Sequence, residues 1–474
     1  MLNPVLMIAV PLGLAFISII FKKAAKWILL AGALANVAML FLLEQGAVAI
    51  GGFGNIVAIH LVLGAHSYAG LALLSILFLA AVVVSFDKIG KNSTVLLTAL
   101  AGMSGMVLTT DLFNLFVFME ITAISAYILS MRGKKPEHSF NYLVLGAVGS
   151  VLFLLGTILI YNQTGFLGMR SIQLMIEKQT QIKVHMFLPF FLIFAGMAVE
   201  AKIIPFAGWV KGVLGNADGL TGPLFSAVYS AAILFAFGRV VGNVIYTVES
   251  VKILIVIIGL LTFAFGEAAA FRQKNIRKIL LFSSIGQSGL AVALFALGLY
   301  IPAIFIIINN SVGKFIMFTV AGKLNDTYGI DDYTLLKGTF FSNKLIGIAF
   351  SISALSLIGL PLFFGFYAKL NALTALFNGG NWFVPMIILG LAIVEGAYFI
   401  RLLISLWAPG KEGEYAAAEN AVEPKKLFKP AKVVLILVLS LLILAAGLLP
   451  DIAGGFIVQG ADTPFSISQL KGGE

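Results

Sequence analysis

Apolar residues run through this chain in long blocks broken by short polar interruptions, and each block has the length of a bilayer-crossing helix. About fourteen such segments, each near the roughly 20 residues that span hydrocarbon, lie at 3–21, 27–43, 66–86, 93–109, 111–131, 140–161, 185–212, 219–247, 251–270, 277–299, 301–322, 343–377, 382–408 and 431–450. Leu71–Ser85, Val251–Phe265 and Val433–Leu449 are nearly uninterrupted. The stretch 343–377 is too long for one straight crossing. The longest polar stretches, Gly165–Lys183 and Gly410–Pro430, leave no room for a soluble domain of any size. The pattern predicts an all-α polytopic membrane protein.

Basic residues test that layout independently. Lys22, Lys23 and Lys26 fall in the first loop, Lys88 and Lys91 in the third, and Arg132, Lys134 and Lys135 in the fifth. Lys211 follows in the seventh, Arg272, Lys274, Arg277 and Lys278 in the ninth, and Lys323, Lys337 and Lys344 in the eleventh. Lys411, Lys425, Lys426, Lys429 and Lys432 complete the set in the thirteenth, while the alternate loops hold mainly Arg170, Lys178, Lys183 and Lys252. All the rich loops share one side, which the positive-inside rule assigns to the cytoplasm, with both termini outside. A miscount by one helix would have scrambled this alternation. The cluster at Lys22 follows the first apolar run instead of preceding it, which predicts a retained helix in a multi-pass protein of the cell (inner) membrane, not a cleaved signal.

Composition narrows the chemistry. Hydrophobic residues make up 60% of the 474 and charged residues 11%, against about a quarter charged in a soluble domain. The net charge of +10 is carried by short loops, so a lipid bilayer, not nucleic acid, explains it. With no cysteine, disulfides, thiolate zinc and all-cysteine iron–sulfur clusters are excluded. The four histidines, His60, His66, His138 and His185, lie at or near segment ends, a poor arrangement for a membrane haem. No phosphate-binding Gly-rich loop with Lys-Ser/Thr occurs. No cofactor is expected.

Five charged residues sit inside apolar segments: Glu120, Lys202, Glu267, Lys314 and Lys369, with Glu267 near enough to a segment end to be wetted. An ionised side chain at mid-bilayer costs about 2.5–3.5 kcal/mol on insertion scales, so each needs a partner or a hydrated interior. They are either salt bridges that lock helices together or a relay of titratable groups, the pattern of intramembrane proton paths. Two lysines adjoin helix breakers. Lys202 precedes Pro205 in Glu200-Ala-Lys-Ile-Ile-Pro-Phe-Ala-Gly-Trp, and Lys369 directly follows Gly359-Leu-Pro-Leu-Phe-Phe-Gly-Phe-Tyr-Ala, which holds Pro361. Proline removes a backbone donor and unwinds the helix locally. A broken helix with a lysine in each half of the chain is the pattern of an inverted-repeat transporter.

Three motifs extend this reading. Asp111-Leu-Phe-Asn-Leu-Phe-Val-Phe-Met-Glu120 resembles the fifth-helix motif of the antiporter-like subunits shared by respiratory complex I, Mrp-type sodium/proton antiporters and membrane-bound hydrogenases. Its wording is most similar to the Mrp D-type subunit. Gln273-Lys-Asn-Ile-Arg-Lys-Ile-Leu-Leu-Phe-Ser-Ser-Ile-Gly-Gln-Ser-Gly289 resembles the segment leading into the family's tenth helix, and Gly359-Leu-Pro with Gly365-Phe-Tyr-Ala-Lys369 resembles its broken twelfth. The resemblance covers roughly residues 66–405, in the family's order. It implies a single membrane domain, 1–474: helices one to three over 1–92, a five-helix repeat over 93–247, its inverted copy over 251–408 and a last helix at 431–450, with helices seven and twelve broken.

The resemblance also implies roles. Glu120 would be the acid that modulates the key lysine, Lys202 that lysine, Lys314 the eleventh-helix lysine, and Lys369 the group that releases or takes up the ion. Glu267, Arg239, Asn310, Pro205 and Pro361 would support them. Two positions depart from the pattern: Ala231 stands where the family's eighth helix carries a second lysine ahead of an arginine, here Arg239, and Asn310 replaces the histidine of His-x-x-x-Lys. The expected function is translocation of H+ and/or Na+ within an Mrp-like or hydrogenase-like complex whose other membrane subunits are the partners. Any redox centre would belong to those partners. The alternatives are a non-conducting structural paralogue in such a complex and, less consistent with the motifs, a self-sufficient small-molecule carrier.

Overall fold

A computed structural model of the chain describes residues 2–51, 58–132, 135–409, 426–451 and 454–455. Helices α1 (Leu6–Ile20) and α2 (Ala25–Leu40) lead into a short antiparallel hairpin, β1 (Gly46–Ile50) with β2 (Ile59–Leu63), a feature the apolar blocks did not foretell. Then come α3 (Ala65–Ser85), α4 (Ser93–Leu108), α5 (Leu112–Ser130) and α6 (Pro136–Thr164). The polar stretch after α6 folds as α7 (Met169–Lys178) and α8 (Thr180–His185). In α7 the apolar residues Met169, Ile172 and Ile176 are buried, while Arg170 and Glu177 face outward.

Next are α9 (Phe187–Glu200), α10 (Gly208–Gly215), the one-turn α11 (Thr221–Pro223), a π-helical stretch at Leu224–Tyr229, and α12 (Ser230–Asn243). The second half holds α13 (Glu249–Phe271), α14 (Ile276–Ala296), α15 (Tyr300–Tyr328), the short α16 (Thr339–Ser342), α17 (Lys344–Ile358), α18 (Phe364–Asn378) and α19 (Phe383–Trp407). The last described helix is α20 (Pro430–Leu448). Among the described residues ten helical spans are long and apolar enough to cross a membrane. The chain is a polytopic α-helical membrane protein.

The helical path breaks between α9 and α10, and again between α17 and α18, so the over-long segment 343–377 is two helices, not one. The segment Gly410–Pro430, together with Lys134, Lys411 and Lys425, falls wholly or mostly outside the described residues.

Helices α12, α14 and α15 form the centre and are buried nearly all round, whereas α6, α19 and α20 turn most of their surface outward. The outward surface is apolar: Ile253, Ile257, Leu261 and Phe265 make an exposed stripe down α13. That is the inverse of a soluble helix and what lipid demands. Lipid gives little hydrophobic drive to helix pairing, so close pairs rely on small residues. A Cβ on Gly196 of α9 would lie 2.6 Å from the Gly149 carbonyl of α6, and one on Gly289 of α14 would lie 2.6 Å from the Gly259 carbonyl of α13. Both seams hold a helix that carries site residues.

The loops sort onto two faces. One is tied by Lys88–Asp326 (2.5 Å), Arg132–Asp218 (2.9 Å), Arg277–Asp331 and Lys432–Asp87 (3.2 Å). These pairs join loops that the basic-residue count had placed together. The other face carries the hairpin, α7, and the contact of Leu2 with Leu43.

Candidate functional site: a buried line of charged groups

The break after α9 begins with the backbone. Lys202 has φ 64°, the left-handed region, where a side chain with a Cβ costs of order 1–2 kcal/mol. Pro205 brings no N–H, and the helix resumes only at Gly208. The freed groups find partners inside the protein: the Ile204 amide donates to Thr262 Oγ1 (3.2 Å), and Trp209 Nε1 donates to the Val199 carbonyl (2.9 Å). Unwinding turns Lys202 inward, 1% exposed, where its ammonium donates to Ser284 Oγ on α14 (2.8 Å). No carboxylate pairs with it among the described residues.

Two residues earlier, Glu200 receives three tyrosines. Tyr142 and Tyr229 donate to Oε2 (2.8 and 2.6 Å) and Tyr127 to Oε1 (3.4 Å). Tyr142 is fixed by Trp209 stacked on its ring at 3.9 Å. Tyr229 ends the π-helical turn, whose extra residue re-aims the side chains that follow. Such a carboxylate is satisfied without a cation. Glu120 is half-buried on α5, accepts from Ser150 Oγ of α6, and lies within electrostatic reach of Glu200 and Tyr127. Among the described residues no hydrogen bond or ion pair joins Glu120 to Lys202.

Lys314 holds the middle. It is fully buried on α15, its ammonium has no hydrogen-bond partner among the described residues, and it lies 5.0 Å from the Phe399 ring centre. Its electrostatic neighbours are Glu395 and Glu267 on one side and Lys202 on the other. One turn before it, Asn310 Oδ1 is likewise buried without a hydrogen-bond partner among the described residues.

Beyond Lys314 the groups are joined directly. Tyr398 donates to Glu267 Oε2 (2.7 Å), and Gln287 Nε2 reaches both Glu267 Oε1 (3.5 Å) and Glu395 Oε1 (3.1 Å). Glu395 Oε2 pairs with Lys369 Nζ at 2.7 Å, and the same ammonium caps the end of α17 through the carbonyls of Leu357 (2.8 Å) and Ile358 (2.9 Å). Pro361 lies in the turn that ends α17, with Gly359 and Leu362 both at positive φ. The helix end left open by the break therefore faces a cation, the charge its dipole favours.

Glu267 is fully buried, against the expectation that it might be wetted. Glu200 and Glu395 were passed over. Both sat in apolar runs, as the five selected residues did, and Glu200 stood within the quoted Lys202 motif. Gln287 stood within the quoted Gln273–Gly289 motif without being singled out, and the tyrosines gave no signal, because tyrosine is ordinary in membrane helices. Ala231 is fully buried beside Tyr229 and Ser230, with no titratable group of its own. Arg239 faces elsewhere: it donates to the carbonyls of Val107 (2.8 Å) and Leu108 (3.3 Å) and to Ser67 Oγ, tying the end of α4 to α3 and α12.

Residues 109–394, more than half of the chain, match the family described as NADH:quinone oxidoreductase/Mrp antiporter, TM. The chain belongs to this family. Among relatives, the NADH-quinone oxidoreductase subunit N of Desulforudis audaxviator is 27% identical over 372 residues, covering 76% of this chain and 74% of that protein. The D-type subunit of the Na(+)/H(+) antiporter of Bacillus subtilis is 28% identical over 421 residues, covering 85% and 83%. A chain of the membrane-bound sulfane sulfur reductase, an archaeal respiratory membrane complex, superposes with a TM-score of 0.87 at 28% identity, covering 98% and 97%. A chain of the Mrp complex from Dietzia sp. DQ12-45-1b shares the fold, with a TM-score of 0.86 at 21% identity and 98% of each chain covered. In this family the chain is a membrane subunit built to sit among others.

Proposed function

We propose that the chain is an ion-translocating membrane subunit of an Mrp-type antiporter or a related respiratory complex, and that the ion following its buried line is the proton. Ion movement would be driven by a gradient or by redox chemistry in partner subunits. The carrying observation is Lys314, a buried ammonium without a hydrogen-bond partner among the described residues, set between Lys202 and the Glu267–Glu395–Lys369 cluster. A purely structural lysine would be expected to end in an ion pair, as Lys369 does.

Lys202 takes the part of central carrier, Glu120 and Glu200 bias it from the first half, and Lys369 exchanges the proton at the far end. Ammonium groups along the line repel a bare cation, whereas a proton moves by changing which group is charged. Exchange with Na+ would then need a separate route. The face bearing Lys88, Arg132, Arg277 and Lys432 lies in the cytoplasm of a cell whose inner membrane holds the complex, with both termini outside.

Ala231 favours a second reading, a structural paralogue that no longer conducts, because it leaves a gap where a carrier is expected. Ion transport by membrane vesicles holding the assembled complex separates the two readings. With Lys314→Met, transport is expected to fall to background at unchanged assembly. Undiminished transport would support the structural paralogue.

A further inference from the structure

A charged cavity lies away from the buried line. About 170 Å³ in volume, it sits on the basic face between the C-terminal end of α3, the C-terminal half of α15 and the N-terminal end of α20. This is far more than the roughly 10–15 Å³ that holds one water. Its charged lining is Lys88, Lys323, Lys429, Lys432, Asp87 and Asp326. Lys323 is nine residues after Lys314, about half a turn round a helix of 3.6 residues per turn. Thr319 and Asp326 share the Lys323 stripe. The cavity and the ion line therefore occupy opposite faces of α15.

Four ammonium groups and two carboxylates leave a surplus of two positive charges. Asp87 is 3.2 Å from Lys432 and 3.7 Å from Lys429, and Asp326 is 2.5 Å from Lys88. Asp87 thus faces two ammonium groups at once, Lys432 with Lys429 behind it. Lys323 is half-buried and has no carboxylate partner among the described residues. The N-terminal end of α20 adds the positive end of its dipole. Buried Val84 and Leu427 and half-buried Phe428 give the same cavity apolar walls. A phosphoryl group needs the cations; only one attached to a glycerol and acyl chains has use for the walls.

We propose that this cavity binds the headgroup of an anionic phospholipid, its phosphoryl group held by Lys323 with Lys88 and Lys432, and its upper acyl carbons lying against Val84, Leu427 and Phe428. The lipid fills the seam between α3 and α20, and so fastens α20 to the rest of the fold.

The test uses the complex purified from membranes, stripped of lipid by detergent exchange, and titrated with phosphatidylglycerol, phosphatidylcholine or inorganic phosphate. Bound lipid is read by native mass spectrometry, and unfolding by a thermal shift. Phosphatidylglycerol is expected to bind and to raise the unfolding temperature, with phosphatidylcholine bound more weakly. Lys323→Gln should weaken phosphatidylglycerol about five-fold, the effect of one lysine near a membrane surface. Lys323→Arg should restore it, and Lys323→Gln/Lys432→Gln should weaken it further. Lys323 has no ion-pair partner to lose, so its replacement leaves assembly intact. Equal binding of both lipids, or binding unchanged by Lys323→Gln, overturns the proposal. Inorganic phosphate binding as tightly as phosphatidylglycerol overturns it too, because the apolar walls would then have no part.

Discussion

Replacing Lys369 separates a strut from a working group. Lys369→Met leaves Glu395, fully buried, without its ion-pair partner, and frees the carbonyls of Leu357 and Ile358. Removing one partner of a buried pair costs about 3–5 kcal/mol, because the remaining charge is uncompensated. Glu395→Gln is milder, since the ammonium keeps its two carbonyls and the amide still accepts from Gln287. In Lys369→Met/Glu395→Gln no buried charge is stranded. Part of the loss should return, with a coupling energy of about 0.5–3 kcal/mol, while the freed carbonyls, at roughly 1–3 kcal/mol each when buried and unpaired, keep it below the parent. Stability is measured by titrating the purified complex with sodium dodecyl sulfate, and transport in vesicles alongside. The double variant is expected to recover part of the stability but none of the transport. If it recovers both, the pair only locks helices and the relay reasoning is wrong. If Lys369→Met costs less than about 1 kcal/mol, the pair is not buried as described.

Other residues divide by the same logic. Glu200→Gln keeps the shape but removes the charge: its amide oxygen can still accept from Tyr142 and Tyr229, while its NH2 must donate to Tyr127, whose hydroxyl turns from donor to acceptor; assembly should be unchanged and vesicle transport markedly slowed. Destabilisation should not exceed the about 1.5–3 kcal/mol of a hydrogen bond to a charged group. Arg239→Met should do the reverse. It orphans the carbonyls of Val107 and Leu108, so less complex should assemble, by quantitative immunoblot, while transport per assembled complex stays normal.

The polytopic helical architecture was legible because hydrocarbon imposes it: a helix in lipid must be apolar and about 20 residues long. The interruptions after α9 and α17 lie next to Pro205 and Pro361, which announce lost donors. The β1–β2 hairpin was hidden because its short run, Gly46–Ile50, is no more polar than a helix end. Individual costly charges could be read one by one, but not their pairing. Lys202 meets Ser284, 82 residues away, and Glu267 meets Tyr398, 131 residues away; only the packed fold supplies those partners. Arg239, which the resemblance gives a supporting role, ties the end of α4 to α3 and α12 through Val107, Leu108 and Ser67; partners so distant along the chain are likewise supplied only by the packed fold.

The central claim, that a proton passes through this subunit by way of Lys202, is tested most directly in inverted membrane vesicles containing the assembled complex. Proton movement is followed by a pH-sensitive dye on energising the membrane, with the parent and Lys202→Ala matched for assembly. The account predicts that the substitution abolishes the signal although the complex is intact. Proton movement persisting at the parent rate in matched complexes would contradict it, and would leave the buried line as scaffolding in a subunit that does not conduct.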